Sequence, residues 1–228
     1  MSLTIKHERK GGAPIRNRNQ LCFVLRCALL AVGSQLLVYY ATRLLPTAEP
    51  HMLATRLDEA IQVAPVWITV YLLVFADWLA CAFAILSDSR ETALRFTAAY
   101  VIGMLVSGVI FVVYPCTMAR PEIPGTDVFS ALLRLLYHID TPTHLFPSLH
   151  VMITYFCWRG AMGCRRLPRW FVHLQLGILI CVCLSILFVK QHVAADIPPA
   201  ILIGELSLQL GGRLPLRAKT EEESEEPV

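Results

Sequence analysis

Six stretches of this chain are nearly free of charged side chains, and short polar segments separate them. The apolar runs fall at about 22–42, 63–86, 94–114, 147–164, 170–189 and 193–210. Each approaches the roughly 20 residues that an α-helix needs to cross bilayer hydrocarbon. The pattern predicts an all-α integral membrane protein built as a six-transmembrane-helix bundle. The fourth run is short and carries Arg159, which is expected to snorkel to the interface. The sixth holds Glu205 and is interrupted by Pro198 and Pro199, which should bend that helix or delay its start. Between the third and fourth runs lies a long polar segment, about 115–146. Within it Phe129, Leu132, Leu133, Leu136 and Tyr137 recur at helical spacing. That spacing predicts a short helix, lying on the membrane surface or packed on the bundle.

Composition narrows the class. Hydrophobic residues make up 56% of the chain and charged ones only 16%, against roughly 25% charged in soluble domains. The formal charge of +3 is small, and no basic patch interleaved with aromatics points to nucleic acid. Three regions follow: a basic N-terminal segment over 1–21, a membrane domain over 22–212, and an acidic tail over 213–228 that is expected to be disordered. The basic start leads into an apolar run much as a secretion signal does. It lacks a small-residue cleavage site and reads as an uncleaved first span. The eight cysteines include no CxxC pair, so neither a zinc site nor a disulfide framework is indicated.

Positive charge gives the bundle a direction. With the N-terminus inside, the inner segments hold Lys6, Arg9, Lys10, Arg16, Arg18, Arg90, Arg95, Arg165, Arg166, Arg169, Arg213, Arg217 and Lys219, with Arg159 near them. The outer segments hold only Arg43, Arg56, Arg120, Arg134 and Lys190. Both termini are then expected to be cytoplasmic. A bacterial-type plasma membrane is the expected location, and a eukaryotic endomembrane with a lumenal site obeys the same topology.

Two polar islands stand out against this background. One is Phe146-Pro147-Ser148-Leu149-His150 and the other runs from Lys190 through His192 to Asp196. Both sit where an apolar run meets a loop, and the charge bias puts both, with Arg120, on the outer face. Ionisable groups at such depths are costly and suggest function. A histidine four residues before an aspartate shares its helical face. That spacing suits a carboxylate orienting an imidazole for nucleophilic or acid–base work.

Arg120-Pro121, Pro147-Ser148-Leu149-His150 and His192-x-x-x-Asp196, in that order, resemble the three motifs of the type 2 phosphatidic acid phosphatase superfamily. The PSLH form and Lys190-Gln191-His192 are most similar to the branch with inositol phosphorylceramide synthases and many bacterial membrane phosphatases. The resemblance covers about 100–210. It implies that His192 attacks a phosphoryl group, that Asp196 holds its imidazole, and that His150 protonates the leaving oxygen. It further implies that Arg120, Lys190 and Ser148 bind the phosphate, and that neither a metal nor a cofactor is needed. Two cations of the phosphatase pattern are absent, since Val113 and Ile186 occupy their positions. Lys190 is expected to substitute for one of them.

The expected activity is hydrolysis of a lipid phosphate or diphosphate through a phosphohistidine. Its rival is transfer of a phosphoryl-headgroup to another lipid or polyol. Two non-enzymatic readings compete with these: a transporter using Asp77 and Glu205, and a haem protein with His150 and His192 as axial ligands. Polar bonding between helices is the expected role of Asp77 and Glu205. His51, His138, His144 and His173 carry no motif, although His144 stands close to His150.

Overall fold

The computed structural model describes residues 18–45 and 48–215. Most of the basic N-terminal segment and of the acidic tail therefore lies outside the described residues. The chain is mostly helical. Its long helices are α1 (Arg18–Leu44), α3 (Ile68–Leu86), α4 (Arg90–Val113), α6 (Leu149–Gly163), α7 (Arg169–Phe188) and α8 (Ile197–Arg213). Two shorter ones, α2 (Arg56–Ala60) and α5 (Val128–Ile139), belong to the connections, and single 3₁₀ turns at Pro65–Trp67 and Ala194–Asp196 lead into α3 and α8. A two-residue parallel ladder joins β1 (His51–Met52) to β2 (Cys116–Thr117). The sequence reading contained no strand. This one is too short to show alternation, and it exists because two connections meet at one end of the bundle.

Among the described residues, four helices are long and apolar enough to cross a membrane: α1, α3 with its 3₁₀ lead-in, α4 and α7. The other two expected spans are shorter than the sequence suggested, at 15 residues for α6 and 17 for α8. The reasons are local. Ser148 caps α6, its hydroxyl accepting the Val151 N–H, so the helix starts two residues after the apolar run does. Pro198 and Pro199 occupy the first turn of α8, where a missing N–H costs nothing. They delay the helix to Ile197, one of the two outcomes expected for them.

The core explains the lengths. Helix α6 packs against α7, α8, α3 and α4 and buries residues Val151 through Cys157 without a break. Its neighbours sheathe it on most sides. Helix α4 makes its largest contacts with α8 and α1. Its approach to α8 is close: a Cβ added at Gly211 would lie 2.8 Å from the Arg95 carbonyl oxygen. Small residues at such contacts let backbones pack tightly without large side chains between them.

Polar residues inside the helices tie neighbouring helices together, although Asp77 Oδ2, Gln175 Oε1 and Thr97 Oγ1 stay buried without partners. Gln175 Nε2 donates to Asp77 Oδ1 at 2.8 Å, tying α7 to α3. Arg159, expected to reach for the interface, finds a partner on α8. Its guanidinium donates twice to Glu205, at 2.9 and 3.0 Å, and the Tyr155 hydroxyl adds a third bond at 2.7 Å. An inward partner on α8 offers better compensation than a long reach to water.

Candidate active site

Five segments distant in sequence converge at one end of the bundle. The rings of His150, at the start of α6, and His192, just after α7, lie edge to face with centroids 5.6 Å apart. The end of α1 supplies Tyr39 and Arg43, the start of α3 supplies Tyr71, Phe75 and Trp78, and the connection after α5 supplies Asp140 and His144. The opposite end collects the α3–α4 turn, the α6–α7 turn and the end of α8, with Arg90, Arg95, Arg165, Arg166, Arg169 and Arg213.

His192 and Asp196 form a buried pair. His192 Nδ1 stands 3.0 Å from Asp196 Oδ2, and the side chains are 6% and 0% exposed. An ionised carboxylate can only accept, so the bond puts the proton on Nδ1 and leaves the Nε2 lone pair free. Asp196 Oδ2 also accepts the Val193 N–H at 3.1 Å. The turn is fixed further by the His192 N–H on the Ile186 carbonyl and by the Ser148 N–H on the Asp196 carbonyl. The second bond ties the two polar islands together through the main chain.

His150 is wrapped by aromatics. The rings of Tyr71, Trp78 and Phe75 lie 4.6, 5.6 and 5.9 Å from its own. Its carbonyl accepts the Thr154 hydroxyl, which in turn accepts Trp78 Nε1. Its Nδ1 is buried without a hydrogen-bond partner. These aromatics, with Leu149 and Ile153, line a cavity of about 330 Å³ that His150 and His192 both border. A second cavity of about 470 Å³, holding Arg120, Lys190, Asp58 and Glu59, also reaches His192.

The three expected phosphate binders sit differently. Ser148 is fully buried and serves as the cap of α6; it borders neither cavity. Lys190, in a left-handed backbone conformation with φ of 50°, donates to the Asp58 carbonyl at 2.6 Å. Burial pulls its ammonium below the ordinary lysine value, with Asp58 opposing in part. Arg120 staples the end of α5. Its Nη1 donates to the carbonyls of Asp140 and Tyr137, its Nη2 to Gln191 Oε1 at 2.8 Å, and its plane lies 4.6 Å over the Tyr137 ring. Burial lowers its pKa from the usual arginine value, with Asp140 the main opposing influence, but a guanidinium stays charged there.

Sequence reasoning missed two residues here, Asp58 and Asp140, and gave a third, His144, no role. Asp58 accepts the Ala194 N–H at 2.7 Å, pinning the turn between His192 and Asp196. It also accepts the Thr55 N–H and hydroxyl, both at 2.8 Å. Burial pushes its carboxyl up, but these bonds and the nearby Lys190 outweigh that and hold it below its ordinary value. The Thr55-x-x-Asp58 spacing is a helix-start signature that was legible in the sequence. Asp140 accepts the Tyr39 hydroxyl at 2.6 Å and Arg43 at 2.9 Å, and no local pattern announced it. His144 borders the same cavity as His150, and burial together with Arg43 lowers its pKa below the usual histidine value. The short helix α5 packs on the bundle through Leu133 and Leu136, and Leu136 and Ile139 form part of the cavity wall.

Comparison of the chain with protein-family models, with curated proteins and with solved structures finds no match.

Proposed function

We propose that this protein is a membrane-embedded enzyme that breaks a lipid phosphate or diphosphate ester through a phosphohistidine on His192. One observation carries the reading: a buried, Asp196-oriented imidazole keeps a free Nε2 beside a second histidine at the edge of an apolar cavity. The sequence motifs resemble the type 2 phosphatidic acid phosphatases, and the convergence of two of the three motifs on one centre supports that likeness.

In the first step His192 Nε2 forms a bond to phosphorus while the bond to the lipid oxygen breaks. His150 gives that oxygen its proton. Asp196 keeps the Nδ1 proton in place and offsets the positive charge that grows on the ring. In the second step His150 takes a proton from water as the water oxygen attacks phosphorus. The P–N bond breaks, and inorganic phosphate leaves. Arg120 and Lys190 supply positive potential from the neighbouring cavity, the electrostatic help that phosphoryl transfer needs most.

The six long helices alternate in direction, so all six are taken as membrane spans, with α6 and α8 shielded by the others. The arginines gathered at the opposite end favour an outer-face site with both termini in the cytoplasm. A bacterial-type plasma membrane fits this orientation.

A second reading has a specific observation in its favour. Among the described residues, no Lys or Arg borders the cavity shared by His150 and His192. A doubly charged phosphomonoester costs more to bury there than a singly charged phosphodiester. A diester donor would pass its phosphoryl-headgroup to another lipid or polyol rather than to water.

The test is phosphate release by purified protein in detergent, using phosphatidic acid, phosphatidylglycerophosphate, isoprenyl diphosphate and a sphingoid phosphate. Release is expected from wild type, and His192→Ala should lose at least about a thousandfold. Silence from folded protein across the panel rejects the phosphatase. Headgroup transfer would then be tested with labelled diester lipids and hydroxylated acceptors.

A further inference from the structure

The chemistry proposed for His192 leaves one question open, namely what holds the phosphoryl oxygens. The three residues expected to do so are engaged elsewhere. Ser148 caps a helix, Lys190 reaches the Asp58 carbonyl, and Arg120 binds carbonyls at the end of α5. The residue between Lys190 and His192 has the opposite character.

Gln191 is 2% exposed, yet it borders the cavity that His150 and His192 share. Its two amide ends are distinguishable on chemical grounds. An arginine can only donate, so the atom 2.8 Å from Arg120 Nη2 must be the carbonyl oxygen. The amide nitrogen is therefore the other end, and it is buried without a hydrogen-bond partner. A buried donor without an acceptor is a standing cost, and such groups are rare enough in folded proteins to call for a cause. Its neighbours sharpen the point. His150, which lines the same cavity, has its Nδ1 buried without a partner as well, and His192 Nε2 is free.

We propose that Gln191 Nε2 is a donor to a phosphoryl oxygen of the bound substrate, and that Arg120 is the positioning residue that fixes its orientation. This deepens the phosphohistidine reading and rests on it. Arg120 grips the carbonyl end and thereby aims both N–H bonds of the amide away from itself. A charge on one end of an amide also polarises the other. The positive potential of Arg120 thus reaches the cavity through a neutral group, without lining the cavity itself. A fixed donor that needs no reorganisation as charge builds on phosphoryl oxygen is the arrangement that stabilises a transition state best.

The experiment measures orthovanadate binding by the full chain in detergent, by calorimetry, alongside melting temperature. Gln191→Glu keeps an oxygen for Arg120 and replaces the unpaired donor with an acceptor. Gln191→Ala removes the donor without adding charge. The expected result is weaker binding by about tenfold for Q191A and about a hundredfold for Q191E, with melting of Q191E at or near wild type. Wild-type affinity in Q191A with loss only in Q191E would reveal a bare charge effect and overturn the proposal. Melting of both variants below the assay temperature would mark the side chain as purely structural and overturn it too. Wild type that binds vanadate no better than His192→Ala would sink the phosphohistidine reading and this proposal together. Equal binding by wild type and both variants would remove Gln191 alone.

Discussion

The bundle carries two clusters of charged and polar side chains, one where α6 and α8 begin and one around the middle of α8 and the second half of α6, and they differ in how far their hydrogen bonds are completed. At one, Glu205 receives Arg159 twice, the Tyr155 hydroxyl and Gln209 Nε2, so each oxygen accepts two bonds. Asp88 nearby accepts the N–H groups of Arg165 and Arg166 and the Thr92 hydroxyl. At the other, His192 and Asp196 are held as firmly, but the set is unfinished. Arg43 Nε, Arg120 Nε, His150 Nδ1, Gln191 Nε2 and Asp196 Oδ1 account for five of the eight buried side-chain atoms without partners among the described residues. The other three, Asp77 Oδ2, Thr97 Oγ1 and Gln175 Oε1, lie within α3, α4 and α7. None of the eight belongs to Arg159, Glu205, Tyr155 or Asp88. A network closed on itself holds helices together. One left open beside a cavity is poised for a ligand that completes it.

The widest separation between the two clusters should come from their carboxylates. Asp196→Asn is expected to lower turnover by about 10⁴-fold with little change in melting, because the amide can keep the shape of the turn but favours the wrong imidazole tautomer. Steady-state kinetics on the preferred lipid would measure this, and near-normal turnover would place Asp196 with the structural carboxylates. Glu205→Gln should do the reverse. Losing the ionic bonds to Arg159 should cost about 1–3 kcal/mol of stability, read as a lower melting temperature in detergent, with turnover per folded molecule unchanged. A loss of activity matching that of D196N would erase the distinction between the clusters.

The smallest expected effect lies at Asp58, which belongs to the open cluster but is itself saturated. Its carboxyl is held below its ordinary value, so its bonds to Ala194 and Thr55 add stability above the usual carboxylate range. That increment is lost as pH falls through the depressed folded-state value. Asp58→Asn should therefore melt lower than wild type at neutral pH, and the gap should close below about pH 4. A gap that stays constant down to the acid limit would mean that the charge on Asp58 contributes nothing.

Much of this arrangement was legible in the chain. Apolar runs of helical length located every long helix, because burying apolar surface is a property of composition and needs no knowledge of partners. His192 and Asp196 do bond at their i, i+4 spacing, but not on one helical face as expected, because His192 lies before the 3₁₀ turn Ala194–Asp196 that leads into α8. The helical spacing of Phe129 through Tyr137 did locate α5. The roles of the cations were not legible in the same way. Arg120 and Lys190 looked like phosphate ligands because a free cation beside a histidine motif has that chemistry. Their actual partners, Gln191, Asp140 and Asp58, are remote in sequence or come from connections with no repeating pattern.

Sequence alone thus determined the helical class, the apolar bundle and the local His192–Asp196 pair, since these depend on composition and on spacings within one turn. Only the tertiary structure decided that Arg159 turns inward to Glu205, that Ser148 caps rather than faces the cavity, and that Gln191 presents an unpaired donor beside the histidines. Each of these is settled by a contact between distant segments, and the energy of a polar contact depends on which partner arrives, which no single stretch of sequence contains.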